Sequence, residues 1–293
     1  MLILAASLAI FVYGLAETAA SGGLQSVDAL GGVVVGLLLV IAFVWHARRR
    51  DGALIDVRLF TRRAVGAAAF TMLFFGMAFF GSALLLPLYF QLVRGESALH
   101  AGLLLAAQGC GAMISMPIAA RMTDKTGPGR IVLVGVSIVG LGMLSLTQIQ
   151  SDTPLWLIEC TLFALGLGMG STMMPTMSAS LATLQRHEIA RVTSGMNVVQ
   201  RVGGSMGTAL LAVVLSHQMA KILPGAAAGG AGMHAMQAMS PAMRASVLPA
   251  LGGAFGHAFA WALGIIMLGL VAACFLPRSK LVRTQDPVTV LVD

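Results

Sequence analysis

Residues 192–217 read VTSGMNVVQRVGGSMGTALLAVVLSH. This run is long enough to cross a bilayer, because a helix needs about 20 mostly apolar residues to span the hydrocarbon core. It also carries polar residues spaced by three or four positions, which places them on one face of a helix: Ser194, Asn197, Arg201, Ser205 and Thr208. A polar face on a membrane span indicates contact with protein or with a water-filled cavity rather than with lipid.

The composition of the whole chain agrees with a membrane location. Of the 293 residues, 58% are hydrophobic and only 10% are charged, whereas a soluble domain carries about 25% charged residues. Such a chain cannot cover a water-facing surface, so the class of soluble enzymes is excluded. The formal net charge is +7, but the basic residues are scattered between apolar runs and do not indicate a nucleic-acid partner.

Apolar runs of membrane length divide the chain into segments. Eight runs are predicted to be spans: 1–16, 29–46, 64–90, 99–120, 130–149, 154–179, 192–217 and 254–276. Two spans therefore occupy 1–46, a basic linker occupies 47–63, six spans occupy 64–277 and a tail occupies 278–293. The predicted fold class is all-α, a polytopic membrane helix bundle.

The distribution of basic residues predicts the orientation of the bundle. With a cytoplasmic N-terminus, fourteen of the 18 basic residues fall in cytoplasmic segments and three fall outside. Because cytoplasmic loops of membrane proteins carry an excess of Lys and Arg, both termini are predicted to be cytoplasmic. The protein is expected to be a multi-pass protein of the plasma (inner) membrane.

Two charged residues near or within spans bear on mechanism. Lipid contact at the bilayer centre would cost Arg201 about 2.5–3.5 kcal/mol. Arg201 therefore faces the protein interior, a water-filled cavity or, by snorkelling, the cytoplasmic interface. Its role is either that of a functional cavity or gate residue or that of a purely structural hydrogen bond. Glu159 lies near the outer end of its span, where it either stays hydrated or carries a proton. No acidic residue falls at the middle of a predicted span, and the sequence shows no catalytic or metal-binding motif.

Several segments together resemble a known family. Residues 120–130 read ARMTDKTGPGR, which resembles the cytoplasmic Gly-x-x-x-Asp-Arg-x-Gly-Arg-Arg signature of the major facilitator superfamily, with Ala120 and Lys125 in place of Gly and Arg. The run SGMNVVQRVGGSMG at 194–207 is similar to a segment of the fourteen-span drug:proton antiporter branch. The stretches DVRLF at 56–60 and LPLYFQ at 86–91 are also typical of that branch.

The resemblance implies an architecture. It matches the C-terminal eight spans of that branch, so 1–46 correspond to two extra central helices and 64–277 to the six-helix C-terminal half of the transporter. The N-terminal six spans, which in the family carry the antiporter signature and a buried acidic residue, have no counterpart here. The chain is therefore expected to be a truncated transporter or one half of a split one.

The resemblance also implies a function and a site. The expected function is proton-coupled multidrug efflux by a secondary transporter, not an enzyme. No cofactor is expected, because the proton gradient supplies the energy. Expected partners are membrane lipid, a small hydrophobic or cationic drug-like substrate and an N-terminal half-transporter. The alternative is a non-transporting fragment or a partner subunit. The candidate cavity residues are Phe75, Tyr89, Gln91, Gln108, Asn197 and Arg201, and the candidate gate loop comprises Arg121, Asp124, Gly127 and Arg130.

Overall fold

The computed structural model describes residues 57–182, 184–222 and 241–277. Over these ranges the chain is helical and contains no β-strand. A short 3-10 helix, Val57–Thr61, precedes six α-helices: α1 Arg63–Leu92, α2 Ala98–Thr126, α3 Pro128–Thr147, α4 Leu155–Leu181, α5 Arg186–Ile222 and α6 Pro241–Cys274. All six are long and apolar enough to cross a membrane. The predicted all-α membrane bundle is confirmed for this part of the chain.

The other predicted spans and two helix boundaries need separate mention. The spans predicted within 1–46, most of the 47–63 linker and the 278–293 tail lie outside the described residues. Helix α5 begins at 186 rather than 192, and α6 begins at 241 rather than 254. The predicted bounds followed uninterrupted apolar runs, whereas α5 continues through polar residues at both ends and α6 begins before Pro249 and the glycines at 252 and 253.

Helix α1 lies at the centre of the bundle. It packs against α5, α6 and α4, while α2 packs mainly on α4, and α3 packs on α4 and α6. The side chains of Phe75, Tyr89 and Phe90 on α1 are completely buried. Helices α2 and α5 are the least buried of the six, so much of the surface of these two helices has no protein against it among the described residues.

The crossing of α1 and α5 depends on glycine. A methyl group at Gly203 would come within 2.5 Å of the Leu73 carbonyl oxygen, and one at Gly81 within 2.8 Å of the Gly207 carbonyl oxygen. No larger side chain fits at either position without moving a backbone. Since lipid provides no hydrophobic force between helices, close backbone approach at small residues is the expected way to hold such a pair together.

One end of the bundle carries most of the charge. The starts of α1, α3 and α5 and the ends of α2, α4 and α6 lie at this end, which we call the basic end. Within the described ranges it has eight basic residues, against three at the opposite end, Arg94, Lys221 and Arg244. The eight are Arg58, Arg62, Arg63, Arg121, Lys125, Arg130, Arg186 and Arg191. A cytoplasmic location for the basic end remains a prediction from the excess of Lys and Arg.

Candidate functional site

The polar face of α5 lies on the surface of the bundle. Asn197 and Arg201 are exposed, well inside the helix and away from both of its ends. The Ser205 hydroxyl donates to the Arg201 carbonyl oxygen at 3.0 Å, and the Thr208 hydroxyl donates to the Ser205 carbonyl oxygen at 2.9 Å. Their hydroxyl oxygens remain able to accept hydrogen bonds.

This face forms one wall of a pocket of about 630 Å³. Its lining residues are Phe80, Asn197, Gln200, Arg201, Gly204, Ser205 and Thr208. Three of them, Phe80, Gln200 and Gly204, were not predicted from the sequence. Gln200 and Gly204 had a readable signal, because Gln200 lies three residues after Asn197 and four before Gly204 on the same helical face. Phe80 had none, since it comes from α1 and its position depends on how the two helices cross.

The glycines of α5 explain why the polar face points away from α1. Gly203 packs against the backbone of α1, while the neighbouring Gly204 lies on the pocket side. There a methyl group would reach the Phe80 ring at 3.3 Å, so the missing side chain allows the ring to lie close to α5. The closely packed glycine side fixes the rotation of the helix about its axis, and Asn197 and Arg201 are thereby held outward.

The chemistry of the pocket is that of a hydrogen-bonding site with one positive charge. Two amides, two hydroxyls, a guanidinium and an aromatic ring surround the space, and none of the lining residues is acidic. Arg201 forms no ion pair with any residue that the structure describes. The Gln200 amide points toward α4, where its nitrogen lies 4.0 Å from the Met173 sulfur. The pocket can therefore accommodate apolar groups beside Phe80 and hydrogen-bond acceptors beside Arg201.

Two of the candidate cavity residues lie inside the bundle. Phe75 and Tyr89 are both 0% exposed. The Phe75 ring stacks on Phe79 with ring centroids 5.2 Å apart. The Tyr89 hydroxyl donates to the Gln150 carbonyl oxygen at 2.6 Å, and its ring meets Phe255 edge to face at 5.6 Å. Neither side chain lines the pocket on α5, because α1 is packed on several sides by other helices.

The remaining two candidates also lie away from this pocket. Gln91 is half-buried near the end of α1, and Gln108 is half-buried on α2, where its backbone packs closely against Gly166 of α4. The structure thus brings Asn197 and Arg201 together and leaves the other four elsewhere. A role in transport for any of the six stays a prediction.

The candidate gate loop is a tight turn between α2 and α3. Gly127 has a φ of 88°, a conformation that favours glycine, and its N–H donates to the Thr123 carbonyl oxygen at 3.0 Å. Arg121, Asp124 and Arg130 are exposed around the turn, and Asp124 forms no ion pair with a described residue. These groups therefore lie at the basic end, free to meet a partner surface.

Comparison with known proteins decides the family. The sequence model described as Major Facilitator Superfamily matches residues 1–208. The chain belongs to the major facilitator superfamily.

Similar members of the superfamily carry names connected with drug resistance. A Multidrug resistance protein B homolog of Mycobacterium tuberculosis is 37% identical over 98% of this chain and 56% of its own length. A puromycin resistance protein of Streptomyces alboniger is 30% identical over 92% of this chain and 51% of its own length. A lincomycin resistance protein of Listeria innocua is 26% identical over 90% of this chain and 53% of its own length. The chain spans about half the length of these curated relatives.

This major facilitator protein has a further contact at its basic end that the sequence did not reveal. The Glu188 carboxylate accepts hydrogen bonds from both terminal nitrogens of Arg62, at 3.0 and 2.9 Å. It also accepts the Gln185 main-chain N–H at 3.0 Å, at the start of α5. This bidentate pair joins the starts of α1 and α5. No sequence signal predicts it, because 126 residues separate the two partners.

Proposed function

We propose that this chain is part of a secondary active transporter of the plasma membrane that exports drug-like compounds against proton entry. Its membership of the major facilitator superfamily supports a transporter rather than an enzyme. The names of its relatives from Mycobacterium tuberculosis and Streptomyces alboniger, which refer to multidrug and puromycin resistance, support efflux of drug-like molecules. The excess of basic residues at one end of the bundle supports cytoplasmic termini.

The observation that carries the proposal is the exposure of Arg201 and Asn197 on a membrane-spanning helix. At the bilayer centre, lipid contact costs a guanidinium about 2.5–3.5 kcal/mol. Rotation of α5 cannot relieve this cost, because the glycine contact with α1 fixes the helix about its axis. The pocket of about 630 Å³ at this face must therefore open into a water-filled cavity or lie under protein. Both arrangements suit a substrate pathway.

A second helix bundle is the expected cover for this face. In the fourteen-span branch that the sequence resembles, the six described helices are the C-terminal six, and six further helices lie opposite them. The exposed side of α2 supports this arrangement, since Gly102, Ala106 and Gly109 are all exposed and a methyl group at either glycine would meet nothing within 4 Å. Small residues on an open helical face allow another helix to approach closely.

Proton coupling and binding of cations need groups beyond this pocket. Its lining includes Arg201 but no carboxylate, whereas a proton-coupled carrier requires a buried group that titrates. We assign that carboxylate, and the attraction for cationic substrates, to the opposing bundle. In this arrangement Arg201 and Asn197 orient acceptor atoms of the substrate, and Phe80 contacts its apolar part.

The test uses Arg201 variants in a drug-sensitive bacterial host. The gene is expressed with its native flanking sequence, and dye accumulation is measured together with the amount of protein in the membrane. Arg201→Gln should abolish export at unchanged protein level, while Leu141→Ala, at an exposed apolar position on α3, should export normally. Wild-type export by Arg201→Gln would remove this face from the mechanism.

Two further arms test coupling and the need for a second bundle. A protonophore should raise dye accumulation in cells with the active transporter to the level of cells without it. Residues 1–293 expressed alone should not export, because alternating access requires two bundles. Robust proton-driven export by purified residues 1–293 would contradict the requirement for a separate half, unless the chain forms a dimer.

A further inference from the structure

A second crevice lies at the basic end of the bundle, away from the pocket on α5. It has a volume of about 570 Å³ and lies between the start of α1 and the end of α6. Its lining residues are Arg62, Arg63, Ala64, Cys274, Phe275, Leu276 and Pro277. None of these is acidic. The crevice is therefore a small, positively charged space at the point where two membrane-spanning helices leave the apolar core.

The two arginines of the crevice differ in their partners. Arg62 is engaged in the bidentate pair with Glu188, so a carboxylate already balances its charge. Arg63 is exposed and forms no ion pair with a described residue. Its guanidinium carbon lies 5.9 Å from the centroid of the Phe275 ring, within the range of a cation–π contact. The ring thus lies beside a guanidinium that forms no ion pair with a described residue, at the mouth of the crevice.

The start of α1 adds to the positive potential. The residue preceding the helix, Arg62, provides no side-chain cap, and no acidic residue occurs in the first turn of α1. The N–H groups at the start of a helix favour a negative charge nearby. Together with Arg63 they form a site suited to a phosphate group.

An apolar track leads from the crevice along the outside of α6. Phe275, Val271 and Leu268 are 53%, 59% and 54% exposed, and their spacing of four and three places them on one side of the helix. One turn further, Gly264 is exposed, and a methyl group there would meet nothing within 4 Å. From Phe275 to Gly264 the track is about 16 Å long, close to half the thickness of the hydrocarbon core.

We propose that this crevice binds an anionic phospholipid of the surrounding membrane. The phosphate lies against Arg63 and the start of α1, and one acyl chain follows the track of Phe275, Val271 and Leu268. Free phosphate would bind the positive charge but would leave the apolar track empty. The length of the track matches the depth of one membrane leaflet, which favours a lipid. A zwitterionic lipid carries an ammonium group that the Arg63 guanidinium repels, so the site discriminates in favour of a net negative headgroup. Basic pockets between helices on the cytoplasmic side commonly bind such headgroups.

The experiment measures lipid binding to the purified full chain in detergent. Native mass spectrometry counts bound molecules during titration with phosphatidylglycerol or with phosphatidylethanolamine. Arg63→Gln should weaken phosphatidylglycerol binding about fivefold or more and remove the preference over phosphatidylethanolamine. Arg121→Gln is the matched control, because it removes the same charge from an exposed position at the same end on α2, and it should bind like wild type.

Further variants separate this site from general electrostatic attraction and from misfolding. Phe275→Leu keeps an apolar residue but removes the ring under Arg63, so it should weaken phosphatidylglycerol binding. Arg63→Lys keeps the positive charge, so it should retain most of the preference for phosphatidylglycerol over phosphatidylethanolamine. Millimolar inorganic phosphate should not displace the lipid. Equal losses in Arg63→Gln and Arg121→Gln, or full displacement by inorganic phosphate, would overturn the proposal. If Arg63→Gln does not fold, unchanged lipid preference in a folded Phe275→Leu chain would overturn it equally.

Discussion

Substitution of Gly203 by alanine tests the packing that orients the polar face of α5. The added methyl carbon would lie 2.5 Å from the Leu73 carbonyl oxygen, whereas ordinary contact begins near 3.4 Å. The two backbones must therefore separate by about 0.9 Å, the difference between these values. Because the obstacle is a main-chain carbonyl within a helix, no side-chain rotation can relieve it. Overpacking of this kind costs about 1–3 kcal/mol.

The same substitution also stabilises the helix itself, and this gain must be subtracted from the cost of overpacking. Alanine is more favourable than glycine inside a helix by about 0.5–1 kcal/mol. The net destabilisation of Gly203→Ala is thus expected to reach up to about 2.5 kcal/mol. Gly253→Ala on α6 is the matched control, because a methyl group there meets nothing within 4 Å. It should show only the gain.

Unfolding of both variants in a mixed detergent series measures this difference. Gly203→Ala should unfold at a lower denaturant fraction than wild type, and Gly253→Ala at an equal or higher one. A Gly203→Ala protein as stable as Gly253→Ala would refute the close approach of α1 and α5. It would also remove the reason for which Asn197 and Arg201 are held outward.

Three other outcomes follow from contacts described above. The double variant Arg62→Glu/Glu188→Arg exchanges the two charges and should restore stability that is lost in either single variant. A double-mutant cycle of thermal unfolding measures this, and additive losses would show that the pair contributes nothing to stability. In a cysteine-free background, Asn197→Cys should react with a water-soluble thiol reagent much faster than Leu141→Cys, and equal rates would contradict a hydrated polar face. Tyr89→Phe should destabilise the protein by about 1 kcal/mol, because the 2.6 Å bond to a main-chain carbonyl is lost; unchanged thermal stability would contradict that bond.

The sequence predicted those features that depend on local spacing. The polar residues of α5 repeat at three and four positions, so their common face could be read directly, and Asn197 and Arg201 do lie together on it. The apolar runs also located all six described helices. Helix ends were less predictable, since α5 continues beyond its apolar run at both ends.

Features that depend on how helices pack could not be read in this way. Phe75 and Tyr89 were named as candidate cavity residues from their side-chain type and position in the sequence. In the structure α1 is surrounded by other helices, and both side chains are completely buried. Phe80 lines the pocket only because Gly204 leaves room for its ring. The partnership of Arg62 with Glu188 depends on two helix starts that meet in space but lie far apart in the chain.

The contact of Gly203 with α1 and the Arg62–Glu188 pair lie at different positions along the same two helices, α1 and α5. Glu188 is fifteen residues before Gly203, a distance of about 22 Å along α5. If α5 pivots at Gly203, a tilt of about 5° moves its start by about 2 Å, because the displacement grows with the length of the lever. The hydrogen bonds of 2.9 and 3.0 Å would break at that displacement. A rocking motion too small to be seen at the pocket would therefore release the charge pair at the end of the bundle, and a spectroscopic probe placed there would report it.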